Sequence, residues 1–321
     1  MKACTALVIA AWVSTLAAGT PAQGAEGPPE WAYPMNPPGL KPPPDDGVPR
    51  RVPGSSATFT LTQIRDRYFS PDWHPGDHPP LPEQVARGKK PDVPACGFCH
   101  RAEGTGGPEN ANLAGLPAAY LVQQVADFKS GARKTSVPKR NIDQKLSMFN
   151  AATDADIAAA AAYFSALKPK SIIRVIESDT APKTYVTSNH LVAVNTGEKE
   201  PIGTRIIEVP EDFEQFASRD SRSRFLAYVP PGSIQKGQAL AATGGGGKTL
   251  QCGACHGPDL KGLGPIPGIA GRSPSYIVRQ LYDFKQGARA GSGSVLMKAS
   301  VENLTVDDMI ALAAYAASLV P

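Results

Sequence analysis

The chain has 321 residues, enough for two ordinary domains with separate cores. Apolar residues make up 41% and charged residues 19%, which excludes a chain disordered throughout, and a net charge of +4 is too weak to point to nucleic acid. Its 32 prolines and 31 glycines predict long irregular stretches between short helices.

In chain order, Lys2 precedes an apolar run, "ALVIAAWVSTLAAG", and then small residues, "TPAQGAEG". Residues 1–24 read as a secretory signal peptide cleaved after Gly24, with an uncleaved anchor as the alternative. The run is too short and alanine-rich for a confident membrane span. Losing Lys2 leaves the mature chain at +3, and it is expected to be exported to the periplasm. Residues 25–82 form a proline-rich arm, expected to be extended and either laid on a partner or loose, with a short helix at "TLTQIRDRYF". Its end, "DWHPGDHPPLPE", places His74 and His78 in a turn-rich connector, where both are expected at the surface.

Residues 83–168 contain "PACGFCHRAE", with Cys96, Cys99 and His100. Residues 171–232 hold "SIIRVIES", "KTYVTSNHLVAV", "TRIIEVP" and "RFLAYVP", β-branched and aromatic runs that predict three or four short strands in a small sheet. His190 lies in one of them and is expected to be a surface or structural histidine. Residues 233–321 contain "LQCGACHGPD", with Cys252, Cys255 and His256. The preceding "ATGGGGKTL" is not a phosphate-binding loop, because Ala242 stands where that pattern needs glycine; a flexible approach segment is expected.

The two cysteine-bearing units are repeats. "LAGLPAAYLVQQVADFKSGAR" at 113–133 returns as "IAGRSPSYIVRQLYDFKQGAR" at 269–289, displaced by 156 residues, as Cys252 is from Cys96. Each then reaches a final helix, "ATDADIAAAAAYFSAL" at 152–167 and "LTVDDMIALAAYAASL" at 304–319. Thr153 and Thr305 sit at N-cap positions, with Asp156 and Asp308 at the capping-box offset.

Cys4 leaves with the signal peptide, so all four mature cysteines lie in the two C-x-x-C-H units. A redox dithiol needs a strand–helix setting that neither unit has. A four-thiolate zinc site needs its halves some 15–20 residues apart, and would leave His100 and His256 unexplained. Covalent haem accounts for all six residues: two thiols one helical turn apart add to the vinyl groups, and the next residue supplies an axial imidazole. Two haem c groups are therefore expected. A second axial ligand is expected from Met148 and Met297, which stand at equivalent places just before the final helices. Met309 falls inside the last helix and is expected in the core.

On these residues each repeat resembles a class I cytochrome c domain, and the chain resembles bacterial di-haem cytochromes c with two such domains in tandem. The resemblance implies a mainly α fold: two haem domains joined by a small β-rich insert, behind a proline-rich arm. It implies that the first and last helices of each domain cross, with Gly88 and Gly237 facing Tyr163 and Tyr315. It also implies that a proline about eleven residues after the histidine orients the imidazole through its carbonyl. Pro267 fits; the first repeat departs, with Ala111 there and Pro108 three residues earlier.

The expected function is electron transfer, with no catalytic residues. The donor would be a dehydrogenase or quinol-oxidising complex and the acceptor an oxidase, with the membrane surface as a further place of association. The alternatives are a di-haem redox enzyme of peroxidase type, in which His74 or His78 replaces Met148, and a fixed cytochrome subunit of a dehydrogenase.

Overall fold

The computed structural model describes residues 27–137 and 143–321. The expected signal peptide lies outside the described residues. After the arm, which carries α1 (Leu61–Arg65), the first repeat supplies α2 (Glu83–Ala86), α3 (Cys96–His100), α4 (Ala118–Lys129), α5 (Asp143–Ala151) and α6 (Asp154–Ala166). Then come β1 (Ile173–Glu177), β2 (Thr180–Pro182), β3 (Thr184–Thr187), β4 (His190–Ala193), β5 (Lys199–Pro201), β6 (Ile207–Pro210), α7 (Phe213–Ala217) and β7 (Phe225–Val229). The second repeat is α8 (Ser233–Thr243), α9 (Gly253–His256), α10 (Pro274–Lys285), α11 (Val295–Val301) and α12 (Val306–Ser318). Among the described residues no helix is long and apolar enough to cross a membrane.

The final helices start where the sequence says they should. The Thr153 and Thr305 hydroxyls accept from the Asp156 and Asp308 backbone N–H groups, and those carboxylates accept from the N-cap backbone in return. In the second repeat α8 crosses α12 at Gly237, where a Cβ would overlap the Ala311 carbonyl and lie 2.8 Å from Tyr315 Cβ. The first repeat differs. Its opening helix is a single turn, and Gly88 lies beyond it, against Val93, Pro94 and Ala95 rather than Tyr163. The reason is local: Pro91 cannot continue a helix, and the chain instead turns back through an antiparallel bridge from Lys89 to Val93.

The segment between the repeats holds three small sheets rather than one. Strand β1 pairs in parallel with β7, β7 pairs antiparallel with β6, and the ribbons β2·β5 and β3·β4 stand apart. The run "KTYVTSNHLVAV" is a hairpin, not one strand, because Ser188 and Asn189 take φ of 52° and 56° and reverse the chain in two residues.

The arm packs on the rest of the chain at its two ends, around residues 32–33 and 52–73, while residues 37–49 between them are exposed. Ala32 and Tyr33 are buried in the second repeat's core beside Val278, Tyr282 and Ile310. The Arg279 guanidinium donates to the Ala32 carbonyl at 2.7 Å, and Asn36 and Asn189 exchange hydrogen bonds between their backbone N–H groups and side-chain oxygens. Farther along, Val52, Ile64 and Trp73 make a small core of their own, and the Trp73 indole donates to the Ser218 carbonyl at 2.8 Å.

Candidate haem sites

Each C-x-x-C-H unit forms one turn of helix followed by a residue with positive φ. The turn holds the two cysteines of each unit on adjacent levels of a helix, the spacing that a pair of vinyl groups requires. No disulfide joins the four cysteines to one another. Burial, with Cys99 beside it, pushes the Cys96 thiol up to about 12.

The two histidines are held alike. His100 Nδ1 lies 2.8 Å from the Ala111 carbonyl, and His256 Nδ1 lies 2.8 Å from the Pro267 carbonyl. The carbonyl can only accept, so Nδ1 carries the proton and the lone pair resides on Nε2, the arrangement of a metal-binding imidazole with an outer partner. Ala111 serves as well as Pro267 because the acceptor is main chain. The loops behind the histidines match too, with Gly106 N–H donating to the His100 carbonyl at 3.0 Å and Gly262 N–H to the His256 carbonyl at 2.7 Å. Burial pulls the His256 pKa below the usual imidazole range, opposed by its bond to Pro267, which favours the neutral ring that binds metal.

The residue after each histidine shows how the repeats diverge. Gly257 takes φ 81° and ψ 158° at no steric cost; Arg101 takes φ 65° and ψ 163°, a region nearly closed to side chains. Arg101 is held there from outside its repeat. Its buried guanidinium donates to the Asp220 carbonyl and, at 3.0 Å, to Ser223 Oγ, and stacks over the Phe216 ring.

Met148 is half-buried on α5, next to Phe149, which stacks on Phe128 with centroids 5.3 Å apart. Met297 is half-buried on α11 and packs against the second repeat's core. Met309 is buried in that core, as expected.

Two of the other histidines depart from expectation, and His190 is structural as expected. His74 and His78 are not surface groups. His74 Nε2 lies 3.0 Å from Asp220 Oδ1 and His78 Nε2 lies 3.1 Å from Asp72 Oδ1, with both imidazoles at most 3% exposed. The prolines around them mark turns that are exposed, at Pro75–Asp77 and Pro79–Pro80, but both imidazoles face inward onto carboxylates. His190 is buried between Phe216 and Phe225, and burial pulls its pKa down to about 4. The glycine run before α9 is not an open approach: Gly244 closes α8 in the left-handed conformation, and Lys248 Nζ reaches Asp308 at 2.6 Å.

A buried polar layer joins the repeats. Arg133 donates to Gln124 within its own repeat at 2.7 Å, and across the junction to Tyr276 and Gln280 at 3.1 and 3.0 Å. Arg289 donates to Gln280 at 3.0 Å, and across it to Gln124 and Tyr120 at 2.7 and 3.4 Å. Burial disfavours the Tyr276 phenolate, but Arg133 and Arg289 outweigh it and hold its pKa below the usual tyrosine range. These hydrogen-bond acceptors are neutral amides and phenols, and among the described residues the buried Arg289 Nε has no partner. Such a layer suits groups that bring negative charge of their own, as the carboxylates of haem do. The repeated "G-A-R" was the sequence signal for this layer, and its meaning required the two copies to meet.

Comparison with known proteins agrees with this geometry. Residues 85–168 match the family model described as Cytochrome c. The chain is 25% identical to cytochrome c4 of Azotobacter vinelandii over 68% of its own length and 82% of that protein. It is 26% identical to the thiosulfate dehydrogenase electron acceptor of Thiomonas intermedia (strain K12), over 71% of this chain and 80% of that one. Over 24% of its length it is 36% identical to cytochrome c-554(548) of Halomonas halodenitrificans, covering 94% of that protein. The chain therefore belongs to the bacterial class I cytochromes c, as a tandem member that carries covalently bound haem c.

Proposed function

We propose that residues 83–168 and 233–321 are two haem-bearing domains, with residues 171–232 and the arm fixing them in one assembly. Cys96 and Cys99 would attach the first haem, with His100 and Met148 on its iron. Cys252 and Cys255 would attach the second, with His256 and Met297. The observation that carries this is the matched geometry of the two histidines, each held through Nδ1 by a main-chain carbonyl eleven residues on, at 2.8 Å. The bound groups supply one-electron redox chemistry. This chain's residues orient the imidazoles through the Ala111 and Pro267 carbonyls and supply positive charge at the half-buried Arg133 and the buried Arg289.

The chain is an electron carrier rather than an enzyme. With His100 and Met148 holding one group and His256 and Met297 the other, neither would have a position for substrate, and the thioethers would favour the reduced state. A dehydrogenase is the donor best supported, since a relative aligned along most of its length is named as the electron acceptor of one. An oxidase would be the acceptor, and association with the membrane surface would bring the two together.

The test is a redox titration of the holoprotein, made in a host that performs covalent haem attachment, followed by visible and near-infrared absorption. Two haems that resist acidified acetone and show the weak long-wavelength band of methionine-ligated ferric iron support the reading. A colourless product overturns the haem reading altogether; rapid carbon monoxide binding at a reduced haem overturns methionine ligation and favours a peroxidase-type enzyme.

A further inference from the structure

One side chain touches the supports of both candidate axial histidines. Arg272 follows His256 by sixteen residues, and the aligned position in the first repeat is Leu116, so only one repeat has a guanidinium here. Its side chain is enclosed, and every hydrogen bond it makes ends on a main-chain carbonyl. Nε donates to Gly268 at 2.6 Å, one Nη to Asn112 at 2.6 Å, and the other Nη to Ala114 at 3.1 Å. Gly268 follows Pro267, whose carbonyl holds His256; Asn112 follows Ala111, whose carbonyl holds His100. The guanidinium thus grips each support loop one residue beyond the carbonyl that orients the ring.

We propose that Arg272 is a positioning residue shared by the two haem sites: a rigid cation that fixes both imidazole-orienting loops and raises both reduction potentials. Two physical effects follow from the one contact set. The planar fork has five N–H groups in fixed directions, so a peptide plane cannot rotate in one loop without straining the other. A buried positive charge beside both loops also disfavours the more positive, oxidised state of each iron. Burial lowers the Arg272 pKa to about 10, so the charge persists at neutral pH.

This inference rests on the proposed ligation by His100 and His256, and the experiment separates the two. Wild type, Arg272→Leu, Arg272→Gln and Arg272→Lys holoproteins are compared by redox titration and by proton NMR of the ferric haem methyl groups, which report imidazole orientation. The expected result for Leu and Gln is a fall in both reduction equilibria of about tenfold, about 59 mV for one electron. Lys restores most of the potential at both haems, because the charge returns. It leaves the haem methyl pattern altered, because an ammonium cannot grip both loops. Arg174→Gln, which removes an exposed charge from β1, leaves both potentials in place. The proposal is overturned if the Leu and Gln variants keep intact histidine–methionine spectra while neither potential moves, or while only the second haem responds. Wild-type spectra without that ligation would instead sink the site assignment, and this proposal with it.

Discussion

Arg133 and Arg289 meet across the junction of the two repeats in a near-symmetric exchange. Their backbones form an antiparallel bridge, and each guanidinium reaches the tyrosine and glutamine of the opposite repeat. Residue i of one copy touches residue j of the other and the reverse, which is the signature of an isologous interface built within one chain.

This pairing predicts strong coupling. Arg133→Leu takes the arginine from the Tyr276 hydroxyl and Arg289→Leu from the Tyr120 hydroxyl, while Gln124 and Gln280 keep the other arginine, so each single change is expected to destabilise the holoprotein by only about 1 kcal/mol. The double variant should lose clearly more than the sum, because either arginine alone still donates to Gln124 and Gln280, and only the double removal strips both amides of a guanidinium donor. Urea denaturation of all four proteins measures the difference; simple additivity would show that the two arginines act independently.

Arg101 predicts an unusual ordering of variants. Arg101→Ala keeps a side chain in a glycine-like conformation and loses the anchor to Ser223 and Asp220, so it should cost about 3 kcal/mol. Arg101→Gly loses the same anchor but relieves the backbone, and should be more stable than Arg101→Ala by about 1–2 kcal/mol. Glycine outperforming alanine in thermal or urea unfolding is the check.

The methionines separate the two sites. Met148→Ala should lower the potential of the first haem alone and open it to carbon monoxide, and Met297→Ala should do the same for the second. Each variant should lose about half of the long-wavelength ferric band. Unchanged spectra in either would assign that methionine to packing.

The His78–Asp72 pair gives a pH dependence with a definite sign. The hydrogen bond to Asp72 raises the His78 pKa, with burial opposing. The pair's contribution is therefore complete below the unfolded value of about 6.5, and is lost as pH rises through the higher folded value. The stability difference between wild type and Asp72→Asn should shrink from pH 6 towards pH 8, read from urea midpoints across that range. A difference that grows with pH would assign the pair the wrong sign.

Much of the haem architecture was legible because it is local. A C-x-x-C-H unit needs one helical turn, and a capped helix needs Thr and Asp three apart; both are set by neighbours in the chain. The imidazole–carbonyl bond at Pro267 was implied by the resemblance, and the structure shows the same bond at Ala111, where the first repeat departs from that pattern. The second repeat's helix crossing followed from Gly237, but Gly88 misled, because Pro91 ends the helix before the crossing can form.

The sequence by itself therefore determined the haem-attachment motifs, their duplication, and the start of each final helix, since each depends on residues within a turn or a short loop. Only the tertiary structure decided which surfaces of the copies meet. It alone turned His74 and His78 inward onto carboxylates, laid the arm on the second repeat, and brought Arg272 to the supports of both histidines. Those contacts span 100 residues or more, apart from His78 with Asp72 and Arg272 with Gly268, which are local. The packing of distant segments selects them, and no local pattern encodes which of many buried polar groups will find one another.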